Sequence, residues 1–166
     1  TGKAEIVFGD FSDTIFEFTD TAPEALGLST AAAINAVRRA KFDGLEVTCD
    51  TAPHYFALNE NAVGDYRTFA KVSPPLRSEA DRQAVVEGLR DGTIDAIASD
   101  HAPHDQDSKR LPFLQAECGI IGLETLLPLT LELYHNDYLT LLEALGKVTA
   151  APASLLRLPG GQISRG

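Results

Sequence analysis

The chain has 166 residues, 44% hydrophobic and 23% charged, the profile of a soluble globular protein. Twenty-four acidic against 14 basic side chains give a net charge of −10, which argues against nucleic acid and membrane surfaces as partners. No apolar run approaches the roughly 18 residues that span a bilayer, and two cysteines, Cys49 and Cys118, are too few for a disulfide framework and fit a reduced, cytoplasmic compartment.

The chain begins at Thr1 and contains no Met, so the sequence is expected to be part of a longer product. No basic region followed by an apolar stretch marks a signal peptide near Thr1. Ala4 to Phe8 and Thr14 to Thr19 read as short strands. Thr30 to Phe42 is helical in pattern: Thr30 caps it, Ala33, Ile34, Val37 and Ala40 form one apolar stripe, and Gly44 stops it. Leu45 to Thr51 then reads as a strand leading into Ala52-Pro53-His54. A second helix is expected over Glu79 to Arg90, with Ser78 as cap, Glu79 and Asp81 in the first turn and Gly92 after its end. Ile94 and Ala96 to Ala98 form a short run apolar on both faces, suited to a covered parallel strand. A polar loop follows through Arg110, then helices near Leu123 to Tyr134 and Leu141 to Thr149, the second with a Thr140/Glu143 capping box.

Helix, strand, helix, strand, helix with short connections is a β/α repeat. Its polar clusters at 51–55 and 99–104 follow directly on the strands, where parallel α/β folds bind ligands. Asp100-His101-Ala102-Pro103-His104 is the sharpest of them. A carboxylate at a strand end can ligate a divalent metal and accept a proton from water. A capping Asp with two solvated histidines is the plainer alternative, and the Pro and second His after a buried strand weigh against it. His54 suits a structural or supporting role more than a metal ligand. Ser73, in the stiff Lys71–Arg77 turn, can present a hydroxyl. The glycines of Glu117–Thr125 let backbone groups approach a small ligand, and no Gly-Lys-Ser/Thr follows to make a phosphate loop. Cys118 has no activating base nearby in sequence. Asp107, Lys109 and Arg110 read as a solvated loop, long and polar enough to serve as a mobile lid.

Together, Leu28-Ser29-Thr30, Thr51–His54, Lys71–Arg77, Asp91–Asp95, Ser99–His104, Pro112-Phe113, Cys118–Thr125 and Thr149–Leu156 resemble dihydroorotase, of the multidomain-type branch of the amidohydrolase superfamily. The resemblance implies an α/β fold, part of a (β/α)8 TIM-type barrel of the metal-dependent kind, carrying one or two zinc ions in a complete site. It implies reversible hydrolysis of dihydroorotate to N-carbamoyl-aspartate in pyrimidine synthesis. Asp100 looks like the aspartate that binds metal and shuttles the proton, and His104 like the substrate-binding histidine. Cys118 and Gly119 fall where the family lends backbone atoms to the ring. Ser73 stands where many members have a substrate-binding Asn, and His54 and His101 are candidate supporting residues behind the ligands.

The departures matter equally. The family has a metal-binding His two residues before its Ser-Thr pair, and here that position is Gly27. The His-x-His pair, the bridging lysine or aspartate and the strand-five histidine have no counterparts. One carboxylate does not hold a catalytic zinc, which takes about three protein ligands. Residues 1–27 are therefore left unassigned, 28–158 are expected to be the C-terminal β/α units of the barrel, and 159–166 the start of a tail leading to a small β-sandwich outside the chain. A complete barrel takes about 250 residues. Two alternatives stand beside dihydroorotase: an inert dihydroorotase-like subunit that scaffolds aspartate transcarbamoylase, and a hydantoinase or allantoinase relative. A homo-oligomer is also expected.

Overall fold

A computed structural model describes residues 15–18 and 23–163. The strand expected at Ala4 to Phe8 lies outside these residues, as do Thr14 and Thr19 at the ends of the next one. One four-stranded sheet organises the rest, in the order β1 (Ile15–Phe18), β2 (Pro23–Leu26), β3 (Thr48–Thr51) and β4 (Ala96–Ile97). β1 and β2 run antiparallel, with Ile15 opposite Leu26, whereas β2–β3 and β3–β4 are parallel. The segment before Leu28 thus joins the sheet at its antiparallel edge.

Helix α1 (Ala31–Phe42) connects β2 to β3. Extended Thr30 accepts a hydrogen bond from the Ala33 N–H, and Ala33, Ile34 and Val37 are buried. α3 (Glu79–Arg90) precedes β4, with the Ser78 hydroxyl accepting from the Asp81 N–H and Val85, Val86 and Leu89 buried. The two helices pack with the sheet around Ile34, Val85, Leu89 and Ile94, each at most 1% exposed. Gly88 of α3 makes this approach possible: a Cβ there would lie 3.0 Å from Ile94 Cδ1 and 3.1 Å from Ile34 Cγ2.

The strands are shorter than the sequence pattern suggests. Leu45 and Glu46 stay outside β3 because the Leu45 N–H returns to the Ala40 carbonyl at 3.0 Å, finishing the end of α1. β4 is only two residues long, but Asp95 N–H to Cys49 O and Ala98 N–H to Thr51 O, both 2.9 Å, continue its pairing with β3. Buried Cys49 has its thiol pushed up to about 12, chiefly by burial, so it is an inert packing group.

Three helices are additional to the sequence reading. α2 (Pro53–Ala57) starts with Pro at its first turn and buries Pro53, His54, Tyr55 and Phe56 directly beyond β3. α4 (Gln106–Lys109) is one turn capped by Asp105, within the segment read as a loop. α7 (Ala150–Leu155) follows α5 (Leu126–His135) and α6 (Leu141–Val148). The Thr140/Glu143 capping box of α6 is present in full. No described helix is long and apolar enough to cross a membrane.

Candidate active site

The site grows out of the backbone beyond β4. Asp100 sits three residues after Ile97 with φ +44, in the left-handed region that non-glycine residues seldom occupy. Such conformations cost free energy and persist where surrounding structure enforces them. Just beyond, His101 pairs with Ile120 in a parallel bridge, and the Ala102 N–H donates to the Ile120 carbonyl at 3.0 Å. Segment 117–123 therefore lies alongside 99–104.

Two glycines permit that contact. A Cβ on Gly122 would stand 2.1 Å from the Ser99 carbonyl oxygen. One on Gly119, whose φ is +146, would stand 2.6 Å from Ala102 O and 2.9 Å from His104 Cδ2. Only glycine fits at either place.

The imidazoles then take distinct roles. His101 Nδ1 accepts from the Gly122 and Leu123 N–H groups at 3.1 and 3.2 Å, which leaves the proton of the neutral ring on Nε2. His101 therefore anchors the glycine segment. His104 Nε2 lies 2.8 Å from the Cys118 carbonyl, so His104, Cys118 and Gly119 form one cluster. His54 is 4% exposed, and its Nε2 is buried with no hydrogen-bond partner, 3.4 Å from Asp100 Oδ2. Burial pushes its pKa down to about 4, against the opposing pull of the Asp100 charge. A neutral ring thus faces the half-exposed carboxylate of Asp100.

Ser73 is exposed in a segment joined to the same cluster, because the Gly119 N–H donates to Lys71 O at 2.9 Å. The Ser73–Pro74 peptide is cis, and the buried ring of Tyr55 donates its hydroxyl to Pro74 O at 2.8 Å. Gly27 is close by: its N–H donates to Asp50 Oδ1 at 2.6 Å, and a Cβ would meet only Pro74 Cδ, at 4.0 Å. Gly27 thus borders the Ser73–Pro74 turn, has room for a side chain, and has a backbone at φ +62 that favours glycine.

The polar loop requires a correction. Asp107 and Arg110 are exposed, as expected of a solvated loop, but Lys109 is 3% exposed. Its Nζ donates to the carbonyls of Glu117 and Gly119 at 2.8 and 2.9 Å. Those bonds tie the segment down, so it is not built as a free lid. The spacing of charges gave no warning, because a lysine between Asp107 and Arg110 looks solvated in sequence.

No protein-family model matches the chain. Curated proteins match it strongly. A dihydroorotase of Anaplasma phagocytophilum is 53% identical over 141 residues, 85% of this chain and 32% of the relative. That of Syntrophotalea carbinolica is 49% identical over 150 residues, 90% of this chain and 35% of the relative. This chain is similar to about a third of a dihydroorotase. Among solved structures, dihydropyrimidinase from Brevibacillus agri superposes with a TM-score of 0.80 at 22% identity, covering 86% of this chain and 33% of that one. L-hydantoinase from Arthrobacter aurescens gives a TM-score of 0.76 at 28% identity over 85% of this chain and 33% of that one. The dihydroorotase-like chain therefore has the fold of part of an amidohydrolase TIM-type barrel, as its β/α repeat and motifs suggest.

The donor set does not complete a zinc site. Among the described residues, no group of three or more His, Cys, Asp or Glu side chains is placed to hold a metal ion. His101 spends Nδ1 on backbone amides, and His104 holds the Cys118 carbonyl. The Asp100 carboxylate is half exposed at the mouth of this surface.

Proposed function

We propose that the protein containing this chain is a dihydroorotase, hydrolysing the cyclic amide of dihydroorotate reversibly to N-carbamoyl-aspartate. The observation that carries this reading is one surface beyond β4 where Asp100 and the His104–Cys118–Gly119 cluster follow each other within a segment about half identical to dihydroorotases. Those relatives are about three times as long as the part matched here.

The chain's own residues account for binding and proton movement. The Cys118 and Gly119 carbonyls each keep a second lone pair, beyond the one given to His104 or Lys109, to accept from an amide ring N–H, and His104, fixed through Nε2, offers its other ring face and Nδ1. Ser73 stands beside the same segment. Asp100 accepts the proton lost by water as its oxygen bonds to the ring amide carbon. When the carbon–nitrogen bond breaks, Asp100 returns that proton to the leaving nitrogen, which yields the ureido group and a carboxylic acid that loses its remaining proton to solvent. A carboxylate that ends each turnover as it began suits a reversible reaction. Zinc, one or two ions, belongs to the proposal for the complete protein only, with donors beyond Asp100 lying outside the described residues.

Two other readings have particular support. The solved structures compared above are a dihydropyrimidinase and an L-hydantoinase, and the lack of a three-donor group among the described residues would suit an inert subunit scaffolding aspartate transcarbamoylase. The identity of about half to dihydroorotases, against 22% and 28% to those two structures, favours dihydroorotase over the first. The kept constellation of Asp100, His104 and Cys118–Gly119 argues against the second.

The test is turnover of dihydroorotate and of hydantoin by the zinc-supplied, full-length protein. The expected result is a kcat/KM preference for dihydroorotate of about 100-fold or more, since a site built to pair a substrate's polar groups rejects analogues lacking them. A preference for hydantoin transfers the protein to the hydantoinases. No turnover of either, with stimulation of carbamoyltransferase activity on mixing with that partner, installs the scaffold reading instead.

A further inference from the structure

Lys109 is the unusual charge of this molecule. Lysines are seldom fully buried without partners, and a buried ammonium is costly unless its donors are satisfied. Lys109 is 3% exposed, and backbone carbonyls take its three donors: Glu117 O at 2.8 Å, Gly119 O at 2.9 Å and Lys71 O at 3.5 Å. Its ammonium also lies 6.0 Å from the centre of the Phe69 ring.

The choice of carbonyls is informative. Glu117 and Gly119 flank Cys118, whose own carbonyl meets His104 Nε2 at 2.8 Å. Alternate carbonyls thus go to Lys109, and the one between them goes to the histidine of the site. Lys109 also engages Lys71 O, the acceptor of the Gly119 N–H. Its own backbone is fixed from both sides, by its N–H to Asp105 O at 3.2 Å and by the Thr68 hydroxyl donating to its carbonyl. Lys71 extends the arrangement with Nζ on Ala116 O at 2.6 Å and Leu114 O at 3.3 Å.

We infer that Lys109 is a positioning residue: its buried ammonium sets the rotation of the Glu117–Gly119 backbone and so presents Cys118, Gly119 and His104 to the ring of the substrate. The identity of that substrate rests on the dihydroorotase reading; the holding of the segment does not. Lys109 touches neither Asp100 nor His54, so its loss should weaken substrate binding while sparing proton transfer.

The experiment compares full-length wild type with Lys109→Met, which keeps the apolar stem and removes the donors. Hydrogen exchange read by mass spectrometry should quicken about tenfold or more in peptides covering 116–122 and stay unchanged in 79–90, since it reports local opening. KM for dihydroorotate should rise about tenfold with kcat within about threefold, the signature of lost binding. Should Lys109→Met fail to fold, Lys109→Gln, with two shorter-reaching donors, undergoes the same measurements with smaller shifts in the same direction. Unchanged exchange at 116–122, equal quickening in 79–90, a quickened segment with unchanged KM, or a fall confined to kcat each overturns the inference. If the wild type does not turn over dihydroorotate, the functional reading fails and the exchange comparison alone decides Lys109.

Discussion

Gly122 shows how much of this site depends on an atom that is missing. Its added Cβ would lie 2.1 Å from the Ser99 carbonyl, so Gly122→Ala must push segment 117–123 away from the turn that carries Asp100. We expect the variant to lose about 1–3 kcal/mol of stability, as crowding substitutions do, with a raised KM measured on the full-length protein. A variant matching wild type in both urea midpoint and KM would show that the close approach is not needed. At this scale the sequence was legible wherever chemistry is intrinsic to the side chain. Asp100 and His104 stand out by type and by their place after a strand. Lys109 did not, because what sets its role is the direction of three backbone carbonyls, which no side-chain type encodes. The bonds from the Gly122 and Leu123 N–H groups to His101 were not legible either, since they depend on a segment 21 and 22 residues further along the chain.

The helices α1 and α3 are joined at their N-terminal ends by Asp81. Its carboxylate accepts from the Ala31 N–H at 2.9 Å and from the Ser78 hydroxyl at 2.7 Å. Burial pushes its pKa up, but these hydrogen bonds outweigh burial and hold it below the ordinary aspartate range. A depressed folded pKa contributes stability that is whole above the unfolded value and is lost as pH falls through the folded one. Asp81→Ala should therefore cost about 1–2 kcal/mol at pH 7. In urea titrations the gap between variant and wild type should narrow below about pH 4, near the free aspartate value. A gap constant with pH would contradict this account. Gly88→Val should cost about 1–3 kcal/mol by crowding Ile34 and Ile94, read from the urea midpoint; an unchanged midpoint would mean that α1 and α3 are not held at that spacing. Both helices were readable to their caps, since Thr30, Ser78, Gly44 and Gly92 encode start and stop locally. The strands were less so. Their ends depend on neighbours, as Leu45 shows by bonding back to α1 rather than onward into β3.

At the scale of the whole molecule, the chain presents a candidate site on part of a barrel. Leu114 is 92% exposed and Leu142 82%, apolar surface that a complete barrel is in a position to cover. The 166-residue chain by itself should show no turnover of dihydroorotate in a coupled assay, because among the described residues no group of three or more donor side chains is placed to hold a metal ion. Detectable turnover by it would show that catalysis needs nothing beyond these residues. The β/α order and the placement of motifs after strands made the barrel legible. The antiparallel β1–β2 edge was not, since neither strand carries a motif and their pairing is a matter of tertiary contact.

The central claim is that Asp100 moves the proton in cyclic amide hydrolysis, and Asp100→Asn tests it most directly. In the full-length, zinc-supplied protein, N-carbamoyl-aspartate formation from dihydroorotate should fall at least about 100-fold, the usual contribution of a positioned proton carrier. A variant that retains wild-type kcat at unchanged metal content would contradict the account.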